Sequence, residues 1–237
     1  MKAIVCGYGR MGQIVERLLL EDGNEIVGIV DVNNASEFQD MPEADVIIDF
    51  SNPAMLEHII SYMQGKKTAL VCGTTGFGEG EYARLKELST TSKVLYSANY
   101  SLGICAFVKA LEIVSPILKE ISDVEIIEKH HNKKVDAPSG TAKLLASAVN
   151  SDGVLNEIHS RSGNCGVRPK NEMGVFALRG GTVAGEHSVF FFGEDETFEL
   201  KHTAFSRTVF VAGAIKASKM LLQREIGYYS LNELMFN

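Results

Sequence analysis

The chain has 237 residues, 45% of them hydrophobic, with 23 Lys and Arg against 30 Asp and Glu, for a net charge of −7. That size and composition suit a globular protein with a core in one large or two small domains, and the negative field without a long Lys/Arg block argues against a nucleic-acid partner. No apolar run reaches the roughly 18 residues of a membrane span, no signal-peptide pattern opens the chain, and Cys6, Cys72, Cys105 and Cys165 form no CxxC pair, so buried free thiols in a reducing cytoplasm are expected.

The first predicted strand, Ala3 to Cys6, runs into Gly7-Tyr8-Gly9-Arg10-Met11-Gly12, and a helical stripe of Met11, Ile14, Val15, Leu18 and Leu19 follows. Glycines between a strand and a helix let the backbone approach a pyrophosphate, whose charge the helix start attracts. The second strand, Glu25 to Val30, ends at Asp31, an acid placed to accept hydrogen bonds from a ribose diol. Strand, glycine turn, helix, strand and acid in that order predict a dinucleotide site.

Further strands are expected at Asp45 to Phe50, Thr68 to Cys72 and Lys93 to Tyr96, alternating with amphipathic segments. Such alternation predicts a Rossmann-type doubly wound parallel sheet, in which ligands sit beyond the carboxyl ends of the strands. The loops there are Asp49-Phe50-Ser51-Asn52-Pro53, Gly73-Thr74-Thr75-Gly76 and Ser97-Ala98-Asn99-Tyr100.

After Ser101 the pattern changes to a helix over Leu102 to Ile121, a strand over Asp123 to Glu128, and strands at Gly174 to Leu178, Thr182 to Phe192 and Glu196 to Ala204. This predicts an α+β domain with a mixed or antiparallel sheet, in which Val189-Phe190-Phe191-Phe192 is apolar on both faces and one face must meet helices or another subunit. Helical periodicity returns over Arg207 to Gln223. The expected division is 1–100, completed by 208–237, and 101–207.

The densest ionisable cluster is Glu128-Lys129-His130-His131-Asn132-Lys133-Lys134-Val135-Asp136-Ala137-Pro138-Ser139-Gly140-Thr141-Ala142-Lys143. It makes a local cationic patch suited to a small polyanion, with Ser139 placed to cap a helix and Gly140 and Thr141 to offer N–H groups to a carboxylate. Adjacent histidines point apart and no usual ligand spacing is present, so no metal site is expected. His159, His187 and His202 read as structural or interface residues, and His58 as an exposed helical residue.

With these motifs in order, together with Gly185-Glu186-His187, the sequence resembles the dihydrodipicolinate reductase (4-hydroxy-tetrahydrodipicolinate reductase) family over nearly its whole length. The segment HHxxKxDAPSGTA is the specific part of the match. The resemblance implies an NADH- or NADPH-dependent reductase of lysine biosynthesis by the diaminopimelate route, with an amino-terminal dinucleotide domain and a substrate domain that builds a homotetramer. It places catalysis on His130 and Lys134, and the dicarboxylate substrate on His131, Lys134, Ser139, Gly140 and Thr141. Cofactor contacts fall on Gly7, Tyr8, Gly9, Arg10, Met11, Gly12, Asp31, Gly73, Thr74, Thr75, Ser97, Ala98, Asn99 and Tyr100. Many family members have one more residue in the glycine turn. Val32, Asn33 and Asn34 follow Asp31 where a cation for a 2′-phosphate would stand, which predicts a preference for NADH, with Arg10 as the residue most able to serve NADPH. Another two-domain NAD(P) reductase, or a non-catalytic NADH-sensing module, remain as alternatives that explain the glycine turn alone.

Overall fold

A computed structural model describes residues 1–236. The chain divides into two compact units. The first is Met1–Leu102 with the chain from Thr208 on, and the second is Gly103–Arg207. Ser101 and Leu102 thus belong with the first unit rather than the second. Asn237, the end of the expected 208–237 segment, lies outside the described residues.

The first unit holds β1 (Lys2–Cys6), α1 (Arg10–Glu21), β2 (Glu25–Val30), β3 (Val46–Asp49), α2 (Leu56–Met63), β4 (Ala69–Cys72), α3 (Glu79–Leu88) and β5 (Lys93–Tyr96). With β11 at Gly227–Tyr229, its sheet has the order β11-β5-β4-β3-β1-β2, and every pairing is parallel. Its last strand in sequence, β11 (Gly227–Tyr229), lies at one edge beside β5. Strands β1, β3 and β4 are central, and apart from Lys2 at the start of β1 and Asp49 at the end of β3 they are apolar, because helices cover both faces of such a sheet. The late helix α6 (Thr208–Leu221) packs against β3, β4, β5 and α1, close enough at Gly213 that a Cβ there would strike the Tyr100 carbonyl.

The second unit takes the long helix α4 (Leu102–Ile121) from Gly103 on, and the helix contains Pro116. It continues through β6 (Asp123–His130), α5 (Gly140–Val149), β7 (Asn156–Ile158), β8 (Glu172–Arg179), β9 (Gly185–Phe192) and β10 (Thr197–Ala204). The sheet order is β10-β9-β6-β8-β7, with β6, β8 and β7 parallel and β9 and β10 antiparallel, so the sheet is mixed.

One face of this sheet is covered. Val124, Ile126, Met173, Val175, Val189 and Phe191 bury themselves against Ile104, Phe107, Val108 and Leu111 of α4 and Leu145 and Val149 of α5. Each such side chain contributes about 1.5–3 kcal/mol on burial. The opposite face carries Phe190 and Phe192, stacked with ring centroids 5.4 Å apart, and Phe192 is 42% exposed.

Candidate active site

The glycine turn is tightly built. Gly7 has φ +88°, and a Cβ there would lie 2.6 Å from the Phe50 carbonyl oxygen and the Ser51 Cα; a Cβ on Gly12 would strike the Gly7 carbonyl. Gly9, by contrast, has nothing within 4 Å of the place its Cβ would take, and as N-cap of α1 it offers no side-chain hydrogen bond. The first N–H groups of a helix have no partner within it. This open glycine beside a helix start fits a pyrophosphate.

The neighbouring loops close around the same strand ends. Ser51 N donates to Asp49 Oδ1 at 3.1 Å and to Thr74 Oγ1 at 3.0 Å, the Ser51 hydroxyl donates to Asp49, and a side chain at Gly73 would strike the Phe50 ring. Asp49 is buried, and burial raises its carboxyl above the usual range despite these bonds. Asp31 accepts the Asn33 amide through Oδ1 at 2.7 Å. Tyr8 and Arg10 are exposed, and the Tyr8 hydroxyl donates to Glu16 at 2.5 Å. Ser97 Oγ donates to the Asn99 carbonyl at 2.7 Å. Tyr100 is 1% exposed, its hydroxyl donating to the Cys72 and Leu95 carbonyls, so its side chain ties β4 to β5.

In the second unit, alternation along β6 carries Val124 and Ile126 into the core and then Glu128 and His130 onto the same face, at the carboxyl end of the strand. Glu128 is fully buried and gathers four donated bonds: two from Arg179, at 2.7 and 2.8 Å, one from His130 Nδ1 at 2.5 Å, and one from Ser139 N at 3.0 Å. Burial raises the Glu128 carboxyl, but these donors outweigh it and hold it below its ordinary value. Burial also pulls the His130 imidazole below its ordinary value, against the opposing pull of Glu128.

Ser139 caps α5 as the sequence predicts, its Oγ accepting from Ala142 N at 3.1 Å, and the same hydroxyl lies 3.1 Å from His187 Nε2. Gly140 and Thr141 occupy the first turn. Lys134 pairs with Asp136 at 2.8 Å, and the Asp136 side chain is 53% exposed. His131 Nδ1, His187 Nδ1 and Arg179 Nε are buried without a partner, which leaves polar atoms for a ligand or water to satisfy. No group of three or more His, Cys, Asp or Glu among the described residues is arranged to hold a metal.

His187, expected as a structural or interface residue, is packed inside the second unit beside the basic segment. It is buried, its ring lies edge-on to His130 with centroids 5.2 Å apart, and burial lowers its pKa to about 4. Arg179 and Glu128 carry no role in the sequence reading. Glu128 was legible in principle from the two-residue period of β6, whereas Arg179 and His187 reach the site from other strands. Cys6, Cys72 and Cys105 are buried, but Cys165 is exposed.

Known proteins resemble both parts of this chain. Residues 1–100 match the family described as dihydrodipicolinate reductase, N-terminus, and residues 103–235 its C-terminus. A 4-hydroxy-tetrahydrodipicolinate reductase of Staphylococcus carnosus is 43% identical over 244 residues, covering 99% of each chain. One from Exiguobacterium sibiricum is 39% identical, covering 99% of this chain and 96% of that one. The fold is shared with a dipicolinate-bound dihydrodipicolinate reductase from Paenisporosarcina sp. TG-14, with a TM-score of 0.78 at 20% identity over 100% of this chain and 99% of that one.

Proposed function

The chain belongs to the dihydrodipicolinate reductase family, and on that premise we propose how its residues divide the work. As a member of that family it is an NAD(P)H-dependent oxidoreductase that reduces 4-hydroxy-tetrahydrodipicolinate in the diaminopimelate route to lysine. The observation that carries the residue assignment is the Glu128 carboxylate, which accepts from both His130 and Ser139 and so draws the two ends of the basic segment together.

The first unit holds the cofactor. Gly7, Gly9 and Gly12, with the N–H groups of Arg10 and Met11 at the start of α1, take the pyrophosphate, and Tyr8 borders the turn. Asp31 takes the ribose through the carboxylate oxygen that its own turn leaves. Gly73, Thr74, Thr75 and the stretch Ser97, Ala98, Asn99, Tyr100 line the nicotinamide end, Tyr100 through its backbone. The bound nicotinamide supplies a hydride.

The second unit holds the dicarboxylate. Lys134 with His131 takes one carboxylate, Lys134 exchanging its exposed Asp136 partner for substrate, and Ser139, Gly140 and Thr141 at the start of α5 take the other. Once the 4-hydroxyl has left as water, hydride adds to the carbon conjugated with the ring C=N and charge collects on nitrogen as an enamine forms; the Lys134 ammonium stabilises that charge, and His130 exchanges the proton that restores the C=N.

NADH is the preferred cofactor, because half-exposed Val32 stands where a cation would meet a 2′-phosphate, leaving only Arg10 to serve NADPH. The site is cytoplasmic, and the exposed phenylalanine face of the second-unit sheet joins a homotetramer. Steady-state NADH and NADPH oxidation with the cyclic substrate tests the reading: kcat/KM higher with NADH supports it, and a clear NADPH preference refutes it. A monomer mass by light scattering at micromolar concentration refutes the tetramer.

A further inference from the structure

A fully buried carboxylate is costly unless paired and hydrogen-bonded, and a surface or apolar residue would stabilise the fold as well. Glu128 is nevertheless placed where its Oε2 meets His130 Nδ1 and both its oxygens meet Arg179. Arg179 is the β8 residue directly beside His130 in register, and its Nη2 also donates to the Asp136 carbonyl at 2.7 Å. The guanidinium therefore grips both the carboxylate under the imidazole and the turn that carries Lys134.

We propose that Glu128 and Arg179 are the positioning residues of His130: the carboxylate holds the imidazole in its Nδ1–H form, leaving Nε2 to exchange the proton, and the guanidinium offsets the charge that would otherwise trap the ring as imidazolium. This rests on the reading of His130 as the acid/base group. An ionised carboxylate only accepts, so the shared hydrogen lies on Nδ1. Nε2 faces Gly185, where a Cβ would stand 3.1 Å from it and 3.5 Å from Cδ2; glycine keeps that side of the ring clear. The charged and titratable groups facing His130 are Glu128 on its own strand, Arg179 on β8, His187 on β9 and Lys134 in the turn. Glu128 alone favours the imidazolium, and burial keeps His187 neutral near pH 7.

The test is NMR titration of the His130 ring in the full chain, with the pH profile of kcat alongside. Glu128→Gln keeps shape and an acceptor but removes the charge, so the His130 pKa falls. Arg179→Met leaves the carboxylate uncompensated and removes a nearby cation, so the pKa rises, while Arg179→Lys stays near wild type. Both Glu128→Gln and Arg179→Met lose at least about tenfold in kcat, part of the 10²–10⁴-fold that a positioned acid/base supplies, with KM for NADH unchanged. A merely structural pair would lower activity without shifting the ring in opposite directions. An unchanged His130 pKa in Glu128→Gln, or shifts of the same sign in Glu128→Gln and Arg179→Met, overturns the proposal. His130→Gln separates the two claims: wild-type turnover there removes His130 from the reaction, while opposite ring shifts still establish the pair.

Discussion

Replacing Ser139 by Ala removes one oxygen that serves two buried partners. Ser139 is 2% exposed; its Oγ caps α5 through Ala142 N and lies 3.1 Å from His187 Nε2. Loss of an N-cap costs about 1 kcal/mol. His187 already has Nδ1 buried without a partner, and stranding Nε2 as well costs about 1–3 kcal/mol. The sum is about 2–4 kcal/mol, which in a chain of this length lowers Tm by about 10 °C. Ser139→Thr retains the hydroxyl and stays within about 1 kcal/mol of wild type. Calorimetric melting at pH 7.5 reads both variants, and KM for the dicarboxylate rises in Ser139→Ala as the start of α5 frays. A loss below about 0.5 kcal/mol in Ser139→Ala refutes the reasoning, since neither bond would then be contributing.

His187 gives a pH prediction. Its folded-state pKa of about 4 lies below the ordinary value, so the unfolded chain binds the proton first as pH falls; stability is fully present above about pH 6.5 and declines toward pH 4. His187→Gln removes up to about 3 kcal/mol of that decline, measured by urea unfolding at pH 7 and pH 4.5; an unchanged slope contradicts the assignment. Gly7→Ala places a Cβ against the Phe50 carbonyl at φ +88°, so KM for NADH rises at least about tenfold while KM for the dicarboxylate holds; unchanged cofactor kinetics would free the turn from its role. In Lys129→Ala the Glu186 carboxyl, held at about 2 chiefly by Lys129 and Lys201, keeps Lys201 and the Thr203 hydroxyl but loses its first cation, and carboxylate NMR shows its pKa rising. No rise contradicts that pairing.

Much of the first unit was legible because parallel strands buried on both faces are short apolar runs closed by Gly, Asp or Asn. Glu25–Val30 and Lys93–Tyr96 coincide with the expected strands, and the others differ by a residue or two at their ends. The three-residue strands Asn156–Ile158 and Gly227–Tyr229 gave no signal, since backbone pairing rather than side-chain pattern makes them. In the second unit the strand expected to end at Leu178 extends to Arg179, a polar residue kept in the sheet by a carboxylate 51 positions earlier. His187 likewise finds Ser139 across 48 positions. Local spacing marks a capping serine or a basic turn, but not the strand that arrives from elsewhere to complete it.

The most direct measurement compares turnover with cofactor affinity in Lys134→Ala and His130→Ala. Single variants should lose about 10²-fold or more in kcat while the calorimetric Kd for NADH stays within about twofold of wild type. Near-normal kcat in both, or a loss confined to NADH binding, would contradict the assignment of the chemistry to the basic turn of the second unit.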